Sequence, residues 1–72
     1  MGRKKSIWLV KNKDIEKEIL NYSAESIKIY EDNIKDNTKG DLNKLKEIIG
    51  NDNHFFWYRL LALKIHRSIE KI

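Results

Sequence analysis

The two histidines are the side chains best suited to acid–base or metal chemistry, and their spacing assigns them to neither. His54 and His66 lie twelve residues apart, about 120° round a single helix, so they cannot close on one metal from the same face. Asp52 adjoins His54 but has no third ligand at helical spacing. Ser23, Ser26 and Ser68 have no histidine and acid placed to activate a nucleophile. No glycine-rich loop is present to cradle a phosphate. The absence of cysteine excludes disulfides and thiolate metal sites. The expectation is a non-enzyme, with no catalytic residue, metal, cofactor or small-molecule substrate.

Binding chemistry is better supplied. Arg59, Lys64, Arg67 and Lys71 recur along one segment, and Arg3, Lys4 and Lys5 form a basic run near the start. Together these residues are the candidate nucleic-acid contacts, and six phosphate contacts would give a salt slope of about −5. The composition argues against base reading. Twelve lysines stand against three arginines, and arginine is the residue suited to bidentate recognition. Lys64, Arg67 and Lys71 also complement the negative end of a helix dipole, which is reason enough for their position. Charge is segregated along the chain, with a net +5 over residues 1–13, −4 over 14–53 and +3 over 54–72. If the two basic ends meet in space, they make one basic surface.

Apolar periodicity defines the elements that must carry these groups. Residues 53–72 read as a helix with two apolar stripes. Tyr58, Leu61, Ala62, Ile65, Ile69 and Ile72 form one stripe, and Phe56, Leu60 and Leu63 form a second on the opposite side. A helix over residues 13–36, capped by Asn12, carries Ile19, Leu20, Ile27, Tyr30 and Ile34. A flanking row of Ile15, Tyr22 and Ile29 lies beside them. Continuity through residues 23–26 is expected because no glycine or proline interrupts it. Asp41 caps a short helix over residues 42–49, which Gly50 ends in a left-handed conformation. Residues 7–10 read as an extended packing segment anchored by Trp8, and residues 1–6 as a mobile basic arm. Gly2 and Ser6 match the spacing for N-myristoylation, but the intervening basic run is a poor setting for it.

The expected architecture is therefore a single all-α domain over residues 1–72. It contains a long helix of about 35 Å, a short crossing helix and a second long helix of about 28 Å. A helix-turn-helix at residues 42–59 fits poorly. Lys46 stands where a small residue is wanted, and the second helix opens with His54, Phe55, Phe56, Trp57 and Tyr58, which are packing residues. No apolar run reaches the ~18 residues of a membrane span, so a soluble cytoplasmic protein is expected.

Two other helices cannot cover a helix that is apolar on two sides. Each large side chain left exposed forfeits about 1.5–3 kcal/mol relative to burial. The partner or dimer interface is accordingly placed at Phe56, Trp57, Leu60, Leu63, Ile15, Tyr22 and Ile29. The expected function is a small interaction module, regulator or inhibitor that docks this face on a protein partner or a second copy of itself. Size and composition would suit a phage or another mobile element. The alternative is a homodimeric DNA- or RNA-binding protein working through its basic ends. On the first reading, Leu60→Asp would leave a folded monomer that has lost its function.

Overall fold

The computed structural model describes residues 7–70, whose regular structure is all helical, with no strand. A 3-10 turn at Ile7–Leu9 leads into four helices, α1 (Asn12–Ile19), α2 (Ala24–Thr38), α3 (Leu42–Ile49) and α4 (Phe56–Glu70). Residues 1–6, including the expected basic arm, lie outside the described residues, as does Ile72 of the first stripe.

The helix expected over residues 13–36 is two helices, and the reason is local. The Ser23 side chain accepts the Ser26 amide at 3.1 Å and so caps α2. Upstream, the amides of Asn21 and Tyr22 turn back onto the carbonyls of Glu18 and Ile19. A serine that satisfies an orphan amide starts a new helix without help from glycine or proline. Asp41 caps α3 as its position requires, accepting the Asn43 amide at 2.8 Å. Gly50 is not left-handed, with φ −86. The left-handed turn falls instead at Lys39 and Gly40, with φ 50 and 79, where α2 ends and α3 is about to begin.

The start of the described chain also differs from expectation. Residues 7–9 curl into the 3-10 turn instead of extending, and Ile7 rather than Trp8 is the buried anchor. Lys11 occupies the cap position of α1 with no side-chain cap. Asn12 is free to accept Arg67 Nη1 at 2.8 Å.

The corner at residues 20–23 changes how the core closes. It supplies a fourth helix, and α1, α2 and α3 all pack on α4, with α3 making the most extensive contact. The middle of both stripes of α4 is thereby covered within one chain, while Phe56 at its start stays exposed. Leu60, Leu61, Ala62 and Leu63 are fully buried and join Ile15, Ile19, Ile34, Leu45, Ile49 and Ile65 in a single core. His66, expected on the surface, is also buried. It meets the edge of Trp8 at 5.2 Å, and its Nδ1 lies 3.1 Å from Glu70 Oε1.

Candidate docking face

Burial divides the expected interface residues into two groups. Leu60, Leu63 and Ile15 lie in the core and present no surface. The physical reason is the extra helix, since α1 lies against the side of α4 that a three-helix fold would leave bare. Phe56 and Ile29 remain exposed, and Tyr22 is exposed over two-fifths of its area. Tyr22 and Trp57 come together, with their rings stacked 4.5 Å apart and inclined by 22°.

That pair begins a continuous aromatic face. Tyr30 of α2 stands edge-on to Trp57 at 4.9 Å and to Tyr58 at 6.0 Å. The His54 ring lies 5.0 Å from Tyr58. Between α2 and the start of α4 is a shallow depression of about 310 Å³, lined by Tyr30, Asn33, Asn53, His54, Phe55 and Tyr58. Edge-to-face and offset contacts of this kind add about 0.5–1.5 kcal/mol per pair, so the rings hold one another in place while still facing solvent.

The polar groups of this face both donate and accept. Asn33 Oδ1 already accepts Asn37 Nδ2 at 2.9 Å and the Tyr58 hydroxyl at 3.4 Å. Among the described residues no partner takes the Asn33 amide hydrogens, the Asn53 side chain or the Trp57 indole N–H. No lysine, arginine, aspartate or glutamate belongs to the face. Burial lifts the Tyr58 phenol above its ordinary value, and neighbouring Tyr30 adds to the rise. The unfolded chain therefore ionises Tyr58 at about pH 10 while the fold still holds it neutral. Stability that is present below that pH is lost as the pH climbs through the folded value. The urea midpoint should fall above pH 10, and Tyr58→Phe should flatten part of that fall.

Phe55, Tyr30 and Tyr58 are members of the face that the periodicity argument did not select. It placed Tyr30 and Tyr58 on core stripes, and they are only partly buried there. Phe55 had a readable signal. It holds the cap position of α4, its carbonyl accepting the Arg59 amide at 3.1 Å, and its ring is 77% exposed. Caps favour asparagine, serine and aspartate, so an exposed phenylalanine there breaks a local rule without a stabilising return. Phe55→Asn should raise stability by about 1 kcal/mol, or ~4–8 °C in Tm for a domain of this size. A fall in Tm would mean that the ring contributes to packing.

The basic residues named as nucleic-acid contacts are largely engaged within the fold. Arg59 donates Nε to the Ile49 carbonyl at 2.7 Å and pairs with Asp52 at 3.3 Å. Arg67 donates to Asn12 and, at 2.9 Å, to the Trp8 carbonyl. Lys64 reaches Glu31 at 3.5 Å and, with Ser68, lines two open depressions, one between α4 and α1 and the other between α4 and α2. Arg3, Lys4, Lys5 and Lys71 lie outside the described residues. No group of three histidines, cysteines or carboxylates is placed to hold a metal among the described residues. The polar elements are thus mostly committed to structure, and the aromatic face is what stands open.

The chain matches no protein-family model, no curated protein and no solved structure. No described helix is long and apolar enough to cross a membrane.

Proposed function

We propose that this chain is a non-enzymatic docking module whose working surface is the aromatic face of Tyr22, Tyr30, Phe55, Trp57 and Tyr58. One observation carries the reading. The core closes within the chain, yet Tyr22, Tyr30 and Phe55 remain exposed beside the half-buried Trp57 and Tyr58, and Phe55 stands at a helix cap. Contiguous aromatic surface depleted in charge is the composition of an interface centre. A photo-crosslinking residue at position 55, in the cell that makes the protein, should give a dominant adduct. The same residue at position 44, on an exposed turn of α3, should not. Equal labelling from both positions would overturn the reading.

A second reading rests on a separate observation. Residues 7–70 contain eleven basic and eleven acidic side chains, so the whole formal charge of +4 comes from Arg3, Lys4, Lys5 and Lys71. The described chain begins beside Arg67 and Trp8, within one helical turn of Glu70. Both basic segments therefore attach at the same end of the molecule. On this reading that end binds a nucleic-acid backbone, and four phosphate contacts give a salt slope of about −4. Reversing Lys4 and Lys5 should reduce the slope by about half. Binding with no salt dependence would end this reading.

A further inference from the structure

The geometry points to His66 as a proton-operated latch. It holds the 3-10 turn at Ile7–Leu9 against α4 while its ring is neutral, and releases that turn when the ring is protonated. The inference is independent of both readings above. His66 is 2% exposed, and its two ring nitrogens are the only buried side-chain polar atoms without a hydrogen bond among the described residues. Nδ1 lies 3.1 Å from Glu70 Oε1 but out of line for a hydrogen bond. Trp8 stands against the ring at 5.2 Å, inclined by 79°, and Ile7 beside it is buried. Lifting the 3-10 turn would therefore bring water to the imidazole.

The two forms of the ring suit this site unequally. A neutral imidazole has one N–H, which can face Glu70 from Nδ1, and leaves Nε2 as an unused acceptor. A proton on Nε2 adds a donor with no acceptor and a charge within an apolar core, a far less tolerable form of burial. Glu70 and the negative end of α4 favour the charged ring. Glu70 is more than half exposed, however, so water screens its pull. Arg67 opposes the charge, with its guanidinium fixed on the Trp8 carbonyl at 2.9 Å. The 3-10 turn has no ionisable side chain. Asp41, Lys44, Lys46 and Glu47 of α3 and its cap are exposed, as are Lys13, Asp14, Glu16, Lys17 and Glu18 of α1. α2 meets α4 on the side of Lys64, which Glu31 pairs. Of the carboxylates among the described residues, Glu70 alone comes within 4.0 Å of a ring nitrogen. An exposed imidazole takes up its proton at about pH 6.5. The docked turn is therefore favoured above that pH and gives way to the lifted one as the pH falls through it.

The experiment is hydrogen exchange at the Val10 amide of the full chain, read by NMR against the intrinsic rate at each pH. That amide donates to the Ile7 carbonyl at 3.1 Å and closes the turn. Its protection should fall about tenfold between pH 7.5 and pH 5.5, while the amides of α3 keep theirs. His66→Leu removes the proton site, and Val10 protection should then be equal at the two pH values. A dependence that survives this substitution belongs to another group, such as His54, and overturns the latch. If His66→Leu does not fold, Glu70→Gln serves in its place, and the dependence should persist or deepen without the carboxylate. Its disappearance in Glu70→Gln would overturn the latch. Protection that stays level or rises toward pH 5.5 in the unaltered chain would do so too, because Glu70 would then be securing a charged ring.

Discussion

Leu60→Asp is expected to abolish the folded state. Leu60 is fully buried in the core where α4 meets the other helices. Replacing it removes an apolar side chain worth about 2–5 kcal/mol in such a setting and leaves a carboxylate with no buried partner, which adds several more. A domain of this length holds roughly 4–10 kcal/mol in total, so the substitution exceeds the margin. Circular dichroism should show loss of helix at 25 °C, and the amide spectrum should collapse to unfolded dispersion. A folded Leu60→Asp monomer would mean that α4 presents this stripe outward and that the packing of the other helices around it is wrong. The contrast with Phe55→Asn is the useful part, because two positions about one and a half turns apart should move stability in opposite directions.

Arg67→Ala should carry the next largest penalty. Its guanidinium joins Asn12 at the start of α1 to the Trp8 carbonyl in the 3-10 turn, at 2.8 and 2.9 Å. Hydrogen bonds to charged groups contribute about 1.5–3 kcal/mol when buried. These are exposed to solvent, so about 2 kcal/mol for the pair is the expected loss, or roughly 10 °C in Tm. The loss should be local before it is global. Hydrogen exchange at residues 7–10 should quicken more than exchange in α3. Arg67→Lys should recover little, because a single ammonium cannot span two acceptors as the planar fork does. Full rescue by lysine would show that charge alone matters there.

These outcomes bear on what the sequence could reveal. The helix beginning after Asp41 was legible because cap and apolar period agree within a few residues. The division between α1 and α2 was not, because Ser23 can cap a new helix or sit within a continuing one, and periodicity runs through either arrangement. Everything that depended on this corner was misplaced with it. Leu60, Leu63 and Ile15 read as surplus surface only while a covering helix was missing. His66 read as a surface residue because a helical wheel shows which side chains share a side but not what packs against that side. The face itself was half visible. Tyr22 and Trp57 were selected from the sequence, whereas Tyr30, Phe55 and Tyr58 depended on how α2 approaches the start of α4. Phe55 alone carried a signal in sequence, an apolar residue where a helix wants a cap.

The position of α4 in the chain bears on how the molecule comes into being. Its partners precede it, and although α2 touches α3, α1 makes little contact with either of them, so α1 has almost nothing to hold it in place until residues 56–70 exist. A growing chain usually settles its early domains as it emerges, but here the last helix made is the surface on which all the others condense. Until α4 is made, Ile15, Ile19, Ile34, Leu45 and Ile49 therefore lack the helix that shelters them, and the nascent chain should be open to proteases and chaperones. A polypeptide cut short after α3 would carry three of the four described helices and lack the side chains of Leu60, Leu61, Leu63 and Ile65 on which they close.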